Sequence, residues 1–277
     1  MKKINWLTTL FTVLGIFISS AAFATVPVFQ SATTTSTTTI DIVYDIPIDF
    51  ATTSADFITA FSATGVDKTG ATASIAGSTV TVTLTVPVSA DFTSSGLVVG
   101  AGTIKDFSTA DLNAGVSGQT ISDGIAPSIT GVTPNIALIT DSETGGTGFN
   151  ITVTFDEPMI DDGSQDPVIS FDNGGEDPSS TLTSESGTNW PDNQTFVVTY
   201  NVADANEVLA DVDVLVSGGQ DLAGNAITAT NTDQNDLFSI DTQNPSITGV
   251  TPNIALITDS ETGGTGFNIT VTFDEPM

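Results

Sequence analysis

The chain contains no cysteine and no histidine, and only 4 of its 277 residues are basic. Without cysteine, no disulfide can hold the fold together, and without histidine every serine–histidine or cysteine–histidine nucleophile is excluded. Binding to phosphate groups requires cationic donors, so a net charge of −29 excludes nucleic acid as a partner. An anionic membrane surface would repel the chain for the same reason.

Long apolar runs are also scarce, and the run at the N-terminus predicts a signal peptide. Lys2 and Lys3 precede an apolar stretch over residues 6–18, and Ala22-Phe23-Ala24 supplies the small-residue pattern that signal peptidase cuts. The alternative is an uncleaved membrane anchor, but the stretch is shorter than the ~20 residues that a spanning helix needs. We therefore expect residues 1–24 to be cleaved and the protein to be secreted or displayed at the cell surface, without a membrane-spanning segment in its mature part.

An unchanged internal duplication defines the domain organisation. Residues 127–159, PSITGVTPNIALITDSETGGTGFNITVTFDEPM, recur 118 residues later as residues 245–277. This period is the size of one β-sandwich domain, so residues 127–244 are predicted to be one unit and residues 245–277 the truncated start of the next. Because IDIVYDIPI (40–48) has the pattern of ITVTFDEPM (151–159), residues 25–126 are predicted to be a diverged first copy. We expect the array to continue beyond Met277.

The periodicity within each unit is that of β-strands. Phe149, Ile151, Val153 and Phe155 alternate with polar residues, as a strand with one buried face requires. Similar stripes occur over residues 80–86, 196–202 and 212–216, and turn signals rich in Gly, Asn and Asp separate the runs. The pattern predicts an all-β fold of tandem sandwich domains. The mature chain shows no convincing helical period, and residues 203–209 are at most a helical turn.

Three motifs within residues 127–244 together resemble the bacterial immunoglobulin-like domains: SITGVTPN at the start, ITVTFDEPM on an early strand and DLAGN near the end. Such domains occur in tandem in surface-layer proteins, adhesins and large secreted proteins. The resemblance implies immunoglobulin-like modules that act as spacers or adhesion units, with neighbouring repeats and a surface protein or polysaccharide as partners. It implies no catalytic residues, and we expect no enzyme activity. The alternative is a carbohydrate-binding accessory region of a larger secreted enzyme.

Clusters of acidic and amide side chains are the candidate cofactor sites, and Ca²⁺ is the cofactor that their oxygens would suit. The cluster near the end of the 127–244 unit offers Asp233, Asn235, Asp236 and Asp241 as candidate calcium ligands. A second cluster contains Asp156, Glu157, Asp161, Asp162 and Asp166. In the alternative interpretation these residues are turn formers that stay solvated. Asp156 and Glu157 are unsuited to act as an acid/base pair, because adjacent strand residues point to opposite faces.

Trp190 is the candidate ligand-binding residue. The segment around it, GTNWP (187–191), has the composition of a loop. An exposed tryptophan can stack on a sugar or anchor a protein partner. Alternatively, the indole folds back over the edge of the sandwich.

Overall fold

The computed structural model describes residues 25–146, 148–171, 176–185, 189–228, 233–264 and 266–275. The predicted signal peptide lies outside these residues. Within them the chain is mostly β-sheet with one α-helix, which confirms the predicted all-β class. No helix in the described ranges has the length and apolar character needed to cross a membrane.

The N-terminal part of the described chain forms nine strands and the helix. The elements are β1 (Phe29–Ser36), β2 (Thr39–Tyr44), β3 (Ile48–Phe50), α1 (Ser54–Ala60), β4 (Phe61–Ser62), β5 (Thr72–Ala76), β6 (Thr79–Thr83), β7 (Ser94–Val99), β8 (Ile104–Asp106) and β9 (Val116–Ile121). They form a four-stranded sheet in the order β1-β2-β6-β5, the pair β3-β8 and a three-stranded sheet in the order β4-β7-β9.

Residues 127–244 and the start of the next copy contain the other strands. They are β10 (Ile129–Pro134), β11 (Leu138–Thr140), β12 (Phe149–Phe155), β13 (Pro167–Phe171), β14 (Leu182–Ser184), β15 (Asn189–Asp192), β16 (Thr195–Val202), β17 (Val208–Gly218), β18 (Asp233–Asp241), β19 (Ile247–Pro252) and β20 (Ile269–Phe273). Short 3₁₀ helices span Asp141–Glu143, Pro178–Ser180 and Asp259–Glu261. The sheets have the orders β10-β12-β16-β14, with β15 also paired to β16, then β11-β18-β17-β13, and finally β19-β20.

The chain divides into two compact units. The first contains the described residues up to Ala32 together with Asp41–Thr85 and Ser94–Thr120, and the second contains Thr33–Ile40, Val86–Thr93 and the chain from Ile121 onward. The first unit buries apolar side chains from its strands and from α1, namely Ile42, Phe57, Phe61, Val82 and Leu97.

Two sheets of the second unit share one hydrophobic core. Strand β12 alternates strictly between buried and partly exposed residues, so Phe149, Ile151, Val153 and Phe155 all point inward. The ring of Phe149 lies 4.8 Å from that of Phe238 on β18, which belongs to the other sheet. Burial of one face from each sheet is what a β-sandwich requires. This core extends from Val132 to Ile240 and therefore lies wholly within residues 127–244.

The helix α1 is an element that the apolar periodicity did not predict. Its first turn is closed by a capping box, in which the Thr53 side chain accepts from the Asp56 amide and the Asp56 side chain accepts from the Thr53 amide. Phe57 is the buried residue of this short helix. By contrast, residues 203–207 form no helix, and Asn206 there has a φ of 51°. The lack of a convincing helical period therefore did not exclude a short helix, because one buried residue in a helix of this length leaves no periodic signal.

The two identical segments adopt the same local structure but differ in burial. Strand β19 pairs with β20 in the register that joins β10 to β12, including the irregularity before Gly131 and Gly249. Ile151 is 0% exposed, whereas its equivalent Ile269 is 54% exposed. The difference arises because β12 has a second sheet packed over it, while the apolar side chains of β20 are exposed.

Candidate functional site

The site begins at the end of β12, where the motif Asp156-Glu157-Pro158 leaves the strand. Asp156 is exposed, and its two carboxylate oxygens accept from the Ser128 amide at 2.7 Å and from the Ser128 hydroxyl at 2.8 Å. These bonds join the end of β12 to the residue before β10. Glu157 faces the other way, into the protein. The two carboxylates therefore diverge, as the alternation of strand side chains predicts.

Among the described residues of the second unit, Glu157 is the side chain with both carboxylate oxygens buried and without a hydrogen bond. It is 1% exposed, and neither of its carboxylate oxygens has a hydrogen-bond partner among the described residues. A buried carboxylate without a compensating partner is strongly destabilising, because its charge has lost its hydration. The carboxylate of Glu157 therefore needs either to take up a proton or to have a cation beside it.

Two further carboxylates meet Glu157, and all three lie within the second unit. Asp123 and Asp221 place oxygens so that one ligand atom from each of the three residues lies within 4.8 Å of the others. Asp123 follows β9, and Asp221 lies in the turn after β17. In the sequence these residues are far apart, and the fold brings them together.

Local hydrogen bonds hold Asp221 in place. Its Oδ1 accepts from the Ala223 amide at 2.9 Å and from the Asn225 amide at 2.7 Å, and its Oδ2 accepts from the Asn225 side chain at 2.7 Å. Gly224 completes this tight turn with a φ of 94°, a conformation that favours glycine. The DLAGN motif is therefore the turn that fixes Asp221.

Asp123 is held in the same manner. Its Oδ1 accepts from the Ile125 amide at 2.9 Å and from the Thr34 hydroxyl at 3.3 Å. Both carboxylates thus have fixed orientations before any ligand binds.

The electrostatics of the cluster favour a neutralising ligand. Burial, together with the negative charges of Asp123, Asp221, Asp156 and Asp91, raises the pKa of Glu157 to about 8. Burial also raises the pKa of Asp123 above its usual value. Ionisation of all three carboxylates at this distance costs free energy, because their negative charges repel one another. The arrangement can therefore take up a proton at Glu157 or a cation among the three side chains.

A pocket of about 290 Å³ opens beside the cluster. Its lining combines carboxylates with a few apolar side chains: Asp91, Thr93, Asp123, Glu157, Pro158, Leu222 and Ala223. A small ligand and its water molecules can therefore approach the carboxylates from this side.

The structure distributes the four candidate ligands from the sequence along one strand. Asp233, Asn235, Asp236 and Asp241 all belong to β18. A strand rises about 3.3 Å per residue, so the backbones of Asp236 and Asp241 lie roughly 16 Å apart. Calcium ligands lie at about 2.3–2.6 Å from the ion, so these two residues do not share one. The Asp236 amide instead donates to Asp213 on β17 at 2.9 Å.

Trp190 is packed against the core on strand β15. Its ring centroid lies 4.9 Å from that of Phe196 and 6.1 Å from that of Phe155. The indole nitrogen donates to Asp166 at 2.8 Å. The candidate ligand-binding residue therefore lies over the edge of the sandwich, as the alternative interpretation states.

Sequence reasoning named Glu157 but did not find its partners Asp123 and Asp221. A signal was present in the repeat. Asp241 and Glu275 stand 118 residues after Asp123 and Glu157, so the spacing of an acidic pair is kept across the duplication although the residues around Asp123 and Asp241 differ. For Asp221 the signal is the DLAGN turn itself.

The chain matches no family model and no curated protein sequence. Among solved structures it is similar to an endo-fucoidan hydrolase of glycoside hydrolase family 107, with 10% identity, a TM-score of 0.23 and coverage of 66% of this chain and 24% of that one. It is also similar to the cadherin-like domains 1 to 4 of zebrafish RET, with 11% identity, a TM-score of 0.25 and coverage of 79% and 51%. The chain thus spans about a quarter and about half of these two structures. Likenesses this distant carry no functional argument.

Proposed function

We propose that this protein is an exported, repeat-built structural protein whose β-sandwich modules act as spacers or adhesion units outside the cell. The observation that carries this proposal is the unchanged 33-residue segment, which forms the same strand pair and the same capped 3₁₀ turn in both copies. Modules that repeat at a fixed period with their own core are typical of arrays that extend a chain by steps.

The amino-acid composition supports the role of a spacer whose modules stay apart and in contact with water. The acidic excess, 33 acidic residues against 4 basic ones, keeps modules soluble and resists their collapse onto one another. The resemblance to immunoglobulin-like domains and the predicted N-terminal signal peptide support the same extracellular setting. The alternative, a carbohydrate-binding accessory region, would require the Trp190 ring to stack on a sugar. Instead, this ring packs against Phe196, and its indole nitrogen donates a hydrogen bond to Asp166.

The spacer role is tested by lengthening the array. A second copy of residues 127–244 inserted after Asn244 adds one whole period, because residues 245 onward repeat the sequence from residue 127 onward. Small-angle X-ray scattering of the longer chain is expected to show a maximum dimension greater by about 30–40 Å, the length of a module built from strands of this size. An unchanged dimension would mean that the modules fold back on one another and would contradict a spacer.

Export is tested on cells that produce the protein. If the protein stays on the cell surface, protease added to intact cells is expected to cut it while a cytoplasmic marker stays intact. If the protein is released, it is expected in the medium. Full protection of the chain until the cells are lysed would refute an extracellular role.

A further inference from the structure

We propose that Asp123, Glu157 and Asp221 bind a single calcium ion within the second unit. Their ligand oxygens lie within 4.8 Å of one another, a separation that an ion with ligand distances of about 2.3–2.6 Å can bridge. This set differs from the residues of β18 to which the sequence pointed.

The burial of Glu157 indicates a ligand-binding site rather than a solvated acidic surface. Its side chain is 1% exposed, its oxygens have no partner in the described part of the chain, and the nearest charged groups are also negative. A bound cation would supply the missing electrostatic partner for all three carboxylates at once.

The chemistry of the ligands selects a hard cation. Every donor is a carboxylate oxygen, and the chain has no histidine or cysteine to favour a transition metal. Asp123 and Asp221 are each oriented by two or more hydrogen bonds, so they cannot easily rearrange. Calcium tolerates irregular coordination, whereas magnesium demands a near-ideal octahedron at shorter distances. The neighbouring pocket leaves room for the water ligands that would complete the shell.

The internal repeats provide a comparison within the same chain. At the equivalent positions of the next copy, Asp241 faces Glu275, whose Oε1 is also buried without a described partner. In the diverged first copy the corresponding motif is Asp45-Ile46-Pro47, with isoleucine in place of the glutamate. The acidic pair is therefore a feature of the 118-residue repeat, and it is absent where the repeat has diverged.

The test is a calcium titration of the full chain after treatment with EDTA, with CaCl₂ and MgCl₂ compared at matched ionic strength by calorimetry and by thermal melting. We expect calcium to bind and to raise the melting temperature, since a ligand of the native state stabilises it by mass action. We expect binding of magnesium to be at least about tenfold weaker. Equal melting temperatures in EDTA and in millimolar calcium would overturn the proposal.

Two matched variants locate the site. Glu157→Gln removes one ligand charge and is expected to weaken calcium binding at least about tenfold. Glu185→Gln removes the same charge from an exposed side chain and is expected to leave calcium binding unchanged. A calcium affinity of Glu157→Gln equal to that of the wild type would exclude this site.

The melting temperature in EDTA separates loss of a ligand from loss of the fold. Without calcium, Glu157→Gln is expected to melt no lower than the wild type, because the glutamine is neutral, has the same size and replaces a side chain that makes no hydrogen bond with the described residues. A lower melting temperature in EDTA would show that the carboxylate has a structural partner, and the proposal would fail.

Discussion

At the residue scale, the motif Asp-x-Pro gives two neighbouring side chains different tasks. Asp45, Asp156 and Asp274 occupy equivalent positions, and each accepts from a backbone amide near the start of its copy, at 2.8, 2.7 and 2.7 Å. The aspartate therefore joins the end of one strand to the beginning of another in all three copies. The residue after it is glutamate at positions 157 and 275 but isoleucine at position 46, and this difference decides where an acidic cluster can form.

The joining role of the aspartate makes a prediction for Asp156→Ala. The change leaves the Ser128 amide and hydroxyl without their acceptor, so we expect a loss of about 1 kcal/mol in unfolding free energy. Urea denaturation measures it. Asp161→Ala, at an exposed position nearby, serves as the control and should have little effect. Equal stability of the two variants would mean that the bonds to Ser128 contribute nothing.

At the element scale, the strands β12 and β20 have the same sequence from Ile to Phe, yet their energetic roles differ. Ile151 lies in the core between two sheets, whereas Ile269 is more than half exposed. A buried aliphatic side chain contributes through the area that it removes from water and through the contacts it makes. The contribution of the same residue therefore depends on what covers it.

This contrast is tested by the same substitution made twice. Ile151→Ala is expected to cost about 2–5 kcal/mol in unfolding free energy, because it leaves a cavity in a packed core. Ile269→Ala is expected to cost less than about 0.5 kcal/mol, since its side chain is already exposed. Thermal or urea denaturation of the two variants gives the comparison. Similar losses for both would show that β20 is covered in solution.

At the scale of the whole molecule, charge is the dominant property. The chain has a net charge of −29, and both lysines in the described ranges already have partners. Lys105 forms an ion pair with Asp49 at 3.7 Å. Lys68 donates to the backbone carbonyls of Ile58, Thr59 and Phe61 at the C-terminal end of α1. Most carboxylates therefore repel one another across the surface without a compensating cation.

Such repulsion predicts that monovalent salt stabilises the protein. Added NaCl shortens the Debye length to about 8 Å at physiological ionic strength, which weakens repulsion between distant carboxylates. We expect the melting temperature in EDTA to rise as NaCl is increased from low ionic strength, as measured by scanning calorimetry. A melting temperature that falls with NaCl would show that attractive ion pairs outweigh repulsion.

The sequence by itself determined the period of the repeat, the β class and the local turns. Alternation of apolar residues over 149–155 identified a strand with one buried face, and identical residues produced identical strand pairing and identical 3₁₀ caps in both copies. These features depend on residues that are close to one another in the sequence, so they can be predicted from it directly. The capping box of Thr53 and Asp56 is equally local and could have indicated α1, although a single buried Phe57 left no helical period.

Only the tertiary structure decided which side chains are covered and which carboxylates meet. Nothing local distinguishes Ile151 from Ile269, because burial depends on a second sheet supplied by residues far along the chain. Likewise, Asp123 and Asp221 reach Glu157 only because β17 and the segment after β9 end beside β12. The candidate ligands of β18 shared a short stretch of sequence, but an extended strand holds its residues apart. Proximity in space comes from the path of the chain, and short-range composition does not encode that path.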